Sequence, residues 1–205
     1  MTDSKPTVFI IDDDDPSALK ALARLLRPLG LNVTTFATPQ EFLEHYDKNA
    51  PGCLVLEAVM PHINGLELHQ TLAAQGNPLP VIFLTANGDI PMSVRAIKQG
   101  AIDFLTKPVN DDDLIKAINE AIEKDRLARQ ARAKMVELQQ RLAILTPRER
   151  EVLSHVVSGK RNRQIAAELG TVEKTIKVHR AHVMTKLKVQ SLAELVKLAE
   201  RLGVT

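Results

Sequence analysis

The sequence predicts an α/β domain with a five-stranded, doubly wound parallel sheet, then one long linker helix, then a small all-α domain of four helices. Three observations carry this. Short apolar runs rich in Val, Ile and Phe alternate with segments of helical spacing over roughly the first 120 residues. A stretch from about 111 to 143 keeps a helical period with no Gly or Pro. Beyond residue 146 only helical spacing remains.

The five strand runs lie at 8–11, 33–36, 53–56, 81–84 and 102–105. Strands separated by helices form a parallel sheet covered on both faces. Leu19, Leu22, Leu25, Leu26 and Leu29 mark one helix; Ile63, Leu66, Leu68 and Leu72 mark a second; Val94 and Ile97 mark a third. Gly30, Gly76 and Gly100 sit where helices should end. Thr38-Pro39 and Asp89-Ile90-Pro91 read as helix starts.

In the long helix, three aspartates at 111–113 suit the positive N-terminal end. Leu114, Ile118 and Ile122, then Ala128, Ala131, Met135, Leu138 and Leu142, form an apolar stripe that thins midway. Its first part is expected on the sheet. Its second part is expected as a connector, either a solvated linker or a short dimeric coiled coil. Thr146, Pro147 and Glu149 then spell a helix start with a reciprocal cap. Helices are expected at about 147–158, 162–169, 173–187 and 191–201. The expected domains are 1–122, a linker helix over 123–145, and 146–205.

Charge supports the division. Residues 1–122 carry nine Lys and Arg against sixteen Asp and Glu, whereas residues 146–205 carry twelve against six. An acidic front and a basic back suggest different partners, the back facing a polyanion. No apolar run approaches the ~20 residues that span a bilayer, and the start lacks the basic and long apolar parts of a secretion signal. The single cysteine, Cys53, excludes an internal disulfide and fits a reducing compartment. A cytoplasmic protein with no membrane partner is expected.

Open parallel sheets bind ligands beyond the carboxyl ends of their strands. There the sequence places Asp12 and Asp13 after strand one, Glu57 after strand three, Thr85 at the end of strand four and Lys107 just past strand five. Clustered carboxylates repel, and Mg²⁺ relieves that repulsion. A lysine opposite them can hold a phosphoryl oxygen. The set suits metal-assisted transfer of a phosphoryl group to a carboxylate. Asp14 and Asp15 read as helix N-terminal acids, His62 and His69 as surface residues, and Met60 and Cys53 as packing.

The order of these motifs resembles the receiver domain of two-component response regulators: DD after strand one, an acid followed by MP and G, then TA, then KP. The resemblance implies Asp12 and Asp13 as metal ligands with Glu57 completing the acidic pocket. It implies Glu57 at the phosphoacceptor position, Thr85 as the switch hydroxyl, Phe104 as the switch aromatic and Lys107 as the phosphate partner. It also implies an output face on the fourth and fifth helices, and a histidine kinase as a partner still to be identified. The family has Asp where this chain has Glu57. One extra methylene moves the attacking oxygen by roughly a bond length, a misplacement that costs on the order of 100-fold in rate. The expectation is a receiver not controlled by normal phosphorylation, with Mg²⁺ binding weakened by the substitution. The alternatives are a silent pocket, an engineered mimic, or a conventional receiver that accepts phosphate slowly.

In the basic region, Ile165, Ala166 and Leu169 form one inner face, Gly170 allows a turn, and Ile176, His179, Val183 and Leu187 form the next. Lys174, Lys177, Arg180, Ala181 and Lys186 are left to face outward. Two helices joined by a tight turn, the second basic outside, read as a helix-turn-helix. TPREREVL, GKRNRQIAAELG and KTIKVHRAHVMTKL resemble the LuxR-type DNA-binding domain, and the whole chain resembles the FixJ/NarL class of response regulators. That resemblance implies Lys177, Val178 and Ala181 at base edges of promoter DNA, with Lys174, Thr175, Arg180 and Lys186 mainly on phosphates. Val172 departs from the usual capping Ser, and Thr171 is the expected substitute cap. A homodimer through the last helix is implied, and RNA polymerase is a further candidate partner. Two rivals are weighed. VFIIDDDDPS resembles the opening of haloacid-dehalogenase-type phosphatases, but no cap insertion or later acidic pair follows, so the chain is not read as an enzyme. The other rival is a receiver-like protein-interaction module.

Overall fold

The computed structural model describes residues 5–13, 16–60, 64–76 and 79–204. Asp14, Asp15 and His62 lie outside the described residues. The chain divides into two compact units, Met1–Gln130 and Ala131–Thr205.

In the first unit the strands are β1 (Thr7–Ile11), β2 (Asn32–Phe36), β3 (Gly52–Leu56), β4 (Val81–Thr85) and β5 (Asp103–Thr106). The helices between them are α1 (Pro16–Leu26), α2 (Pro39–His45), α3 (Gly65–Ala74) and α4 (Ile90–Lys98), with α5 (Asp111–Ala143) following. All strand pairs are parallel, in the order β2-β1-β3-β4-β5. Successive side chains on a strand point to opposite faces. One face therefore packs Phe9, Ile11, Leu54, Leu56 and Phe83 with Phe42, Leu66, Leu72 and Ala96 from α2, α3 and α4. The other packs Val8, Ile10, Cys53, Val55 and Ile82 with Leu19, Leu26, Leu114 and Ile118 from α1 and α5. Gly30, Gly76 and Gly100 all follow helices at positive φ, as the sequence predicts.

Within this unit two residues depart from their expected places. His69 is buried, not on the surface. It lies three residues from both Leu66 and Leu72, so the helical period carries it onto the inner face of α3, edge-on to Phe83 at 5.8 Å. Asp125, in the stretch read as linker, is only 1% exposed. Its Oδ2 accepts from the Gly52 amide (2.9 Å) and from Arg129 Nε (2.6 Å). Arg129 also donates to the carbonyls of Asn49 (2.8 Å) and Ala50 (2.5 Å). This clasp fastens α5 to the segment that leads into β3.

The second unit contains the end of α5, then α6 (Pro147–Val157), α7 (Asn162–Glu168), α8 (Glu173–Leu187) and α9 (Leu192–Arg201). Leu138 and Leu145 are buried in its core with Val152, Leu153, Ile165, Ile176, Val183, Leu187 and Leu195, and Leu142 packs against it. The last turns of α5 are thus part of this unit's core rather than a solvated connector. The capping box is present: Glu149 N–H donates to Thr146 Oγ1 (3.2 Å), and Thr146 N–H donates to Glu149 Oε2 (2.8 Å). Gly170, at φ +61°, makes the turn between α7 and α8 in a region where a Cβ would be strained. The expected Thr171 cap is absent. Val172 is the N-cap, without a side-chain bond. Thr171 N–H instead donates to Ala166 O (2.9 Å), so this residue closes α7 and does not open α8.

Candidate functional site

The register that pairs Ile11 with Leu56 brings the residues after β1 and β3 side by side. Asp12 and Glu57 therefore share one rim of the sheet, where the strand order reverses between β1 and β3. Both are buried. Lys107, one residue past β5, reaches across and donates to Asp12 Oδ2 (2.5 Å) and Glu57 Oε2 (2.9 Å). The other Glu57 oxygen, Oε1, accepts from the backbone amides of Ala58 (2.9 Å) and Val59 (3.2 Å). Each oxygen of this carboxylate thus has a donor, an ammonium on one side and two amides on the other. Burial pulls the Lys107 pKa down, but hydrogen bonds and attraction from Asp12 and Glu57 outweigh it and raise it above the ordinary value.

Asp13 follows Asp12 and is half-buried. Thr85 is fully buried at the end of β4, and its Oγ1 accepts from Asn87 N–H (3.3 Å). Its carbonyl accepts from the Lys107 amide (2.8 Å), which fixes the chain leaving β5 beside β4. Phe104 is half-buried with its ring 6.0 Å from that of Phe83. Gly88 lies over this ring: a Cβ there would meet Phe104 at 2.7 Å. Glycine at this position lets the loop after β4 close on the ring.

The acidic pocket differs from the sequence expectation in one respect. Among the described residues no three His, Cys, Asp or Glu side chains converge as a group that could hold a metal ion. The ammonium of Lys107 lies between Asp12 and Glu57 and supplies the positive charge that a divalent cation would bring. In this arrangement the residues do not fit Mg²⁺, and no step below runs through it. The Glu57 carboxylate spans from its neighbouring amides to the lysine.

The second candidate surface is α8. Ile176, Val183 and Leu187 face the core. Lys174, Lys177, Val178 and Ala181 are exposed, and Thr175, His179 and Arg180 are half-buried. Arg180 Nη1 donates to Asn162 Oδ1 (3.1 Å), tying α8 to the start of α7. Lys186 does not face outward as expected. Its Nζ donates to Glu149 Oε2 (2.6 Å), the buried carboxylate of the capping box. Lys186 holds the Glu149 pKa down, to about 2, against the opposing effect of burial and with further help from Thr146. The i, i+3 spacing of Val183 and Lys186 is the signal that places the lysine stem near the inner face.

Two family models match the chain. The response regulator receiver domain family matches residues 8–119, and the luxR family of bacterial regulatory proteins matches residues 143–199. The chain belongs to the response regulators: it is a receiver domain joined to a LuxR-type helix-turn-helix domain, a DNA-binding transcriptional regulator of the FixJ type. It is similar to the transcriptional regulatory protein FixJ of Azorhizobium caulinodans, 43% identical over all of this chain and 96% of that one. It is also similar to nodulation protein W of Bradyrhizobium diazoefficiens, 41% identical over 98% of this chain and 88% of the relative. Among solved structures it resembles the response regulator StyR, 47% identical with a TM-score of 0.87, covering 97% of this chain and 100% of the other. No helix among the described residues is long and apolar enough to cross a membrane.

Proposed function

We propose that this regulator reads promoter DNA through α8 and that its receiver is set by the Glu57–Lys107 pair instead of by normal phosphorylation. The carrying observation is the double engagement of Glu57, with Oε2 held by Lys107 and Oε1 by the amides of Ala58 and Val59. An in-line nucleophile needs a free oxygen at the correct distance, and a displacement near a bond length costs on the order of 100-fold. In this reading Glu57 occupies the phosphoacceptor position, and its carboxylate stands where a phosphoryl group would meet Lys107. Phe104, packed towards Phe83 beneath Gly88, is the switch aromatic in its inward setting, with Thr85 as the adjoining hydroxyl. Asp12 acts with Glu57 as counter-ion to Lys107, and Asp13 borders the pocket.

On DNA, Lys177, Val178 and Ala181 meet base edges, and Lys174, Thr175 and Arg180 hold phosphates. Lys186 is assigned to its ion pair with Glu149 instead of to phosphate. The active form is a homodimer through α9 in the cytoplasm, on a roughly palindromic site, positioned to contact RNA polymerase. A histidine kinase is a partner of receivers as a class, and in this reading it is not the controlling input. The test is incubation with a small-molecule phosphodonor and Mg²⁺, followed by intact mass, beside a DNA titration on the same sample. The expected result is an unchanged mass and an unchanged DNA affinity. A stoichiometric gain of one phosphoryl group overturns the reading.

A further inference from the structure

We propose that the groove between α1 and the edge strand β2 is a binding site for a small amphipathic organic anion: a carboxylate, sulfonate or phosphate monoester carried on an apolar body. The groove has a volume of about 500 Å³, with Leu19 and Ala23 on its floor, Lys20, Arg24 and Arg27 around it, and Thr35 of β2 opposite. Positions 20, 24 and 27 recur at helical spacing, so three cations share one side of the chain.

Their clustering in a stretch without acids is the informative feature. Residues 16–40 contain these three cations and no Asp or Glu, within an N-terminal region that carries sixteen acids against nine bases. Elsewhere in the described part of this unit Lys107, Arg126 and Arg129 each have a carboxylate partner, whereas Arg95, Lys98 and Lys116 have none; what sets positions 20, 24 and 27 apart is that all three line one groove. Among the described residues Lys20, Arg24 and Arg27 have none. Three gathered cations without counter-ions repel one another, and a bound anion removes that repulsion. Two arginine forks suit the planar or tetrahedral oxygens of an acid head group. The volume lies in the range that holds a small organic ligand, about 300–1,000 Å³. A bare inorganic anion would leave the Leu19–Ala23 floor in water, so the ligand class carries an apolar body as well as a charge.

The groove shares no residue with the Asp12–Glu57–Lys107 cluster. Binding there stands on its own observations. Its use as a chemical input to the receiver rests on the proposed absence of phosphate control, and the intact-mass result above tests that separately.

The experiment is calorimetric titration of the full chain with 2-naphthalenesulfonate, inorganic sulfate, 2-naphthol and polyglutamate. Saturable binding of 2-naphthalenesulfonate is expected, with sulfate and 2-naphthol each about tenfold weaker or more. The Arg24→Gln/Arg27→Gln double variant should lose about tenfold in affinity or more, while Lys48→Gln should not change it. Thermal melting of each variant checks that the fold is intact, and Lys20→Gln supplies an independent reading if the double variant melts early. Absence of saturable binding at millimolar concentration, or binding unchanged by the arginine substitutions, overturns the proposal. Saturation by polyglutamate alone also overturns it and points to an acidic protein surface.

Discussion

Lys186, in the last turn of α8, donates across 2.6 Å to Glu149 at the start of α6. The helix that carries the candidate DNA contacts is therefore pinned to the first helix of its unit through a carboxylate that also closes a capping box. Replacing Lys186 by Met should lower the stability of the C-terminal unit by about 1–2 kcal/mol, between the ranges for exposed and for buried pairs because the lysine is itself partly exposed. The pH dependence follows from the sign of the shift. Glu149 is held down to about 2 from an ordinary 4.5, so its contribution is complete above 4.5 and is lost as pH falls from there towards 2. Acid unfolding of the Lys186→Met variant and the parent should converge at the bottom of that window. Equal stability near neutral pH would remove the pin from the account.

His69 makes a second pH-dependent contribution of opposite charge type. Burial, with a smaller effect from Lys124, lowers its pKa below the ordinary 6.5. The unfolded chain then takes up the proton more readily than the folded one, so stability is full above 6.5 and declines as pH falls below it. Urea midpoints measured on both sides of that value should drop on acidification for the parent and drop less for His69→Leu. A parallel decline in the two proteins would show that His69 is not the titrating group.

Arg129→Met is expected to destabilise the receiver unit by roughly 2–4 kcal/mol, because it leaves the Asp125 carboxylate buried without its cation. Hydrogen exchange at the Gly52 amide, which also depends on Asp125, should accelerate together with the loss measured by denaturant. If exchange stays slow while stability falls, the clasp is not the route of the effect.

For DNA recognition, Lys177→Ala should cost about 1–3 kcal/mol on a selected site and flatten the preference between sites. Lys177 is exposed, with its nearest charge Glu173 at 3.4 Å, so the substitution leaves the core untouched. A competition titration at fixed salt, with selected and scrambled duplexes, measures both quantities. Loss of affinity equal on both duplexes would place Lys177 on phosphate instead of base edges.

Local signals in the sequence were sufficient for most of the scaffold. The strand runs, the Thr146–Glu149 cap and the bounds of α8 depend on period and on neighbours a few residues away, and they are legible for that reason. The convergence of Asp12, Glu57 and Lys107 follows from strand order, which the alternation of elements constrains. The misses share another cause. His69 needed the inward-facing period of α3 to be given more weight than the polarity of its side chain. Asp125 found its partner 73 positions away at Gly52, and Lys186 found Glu149 37 positions away. Partners at that separation leave no local trace. Thr171 failed as a cap because the end of the preceding helix had already taken it.

The closing turns of α5 bear on how this protein can be taken apart. Leu138 and Leu145 are inside the helical unit, and Arg141 Nη1 reaches the carbonyl of Leu187 at 3.4 Å. A recombinant fragment begun at Thr146 would be stripped of these leucines and would present greasy surface to its neighbours, inviting precipitation. One begun near Ala131 retains its own lid, and a protease that trims the chain to a durable remnant should stop on the N-terminal side of Leu138.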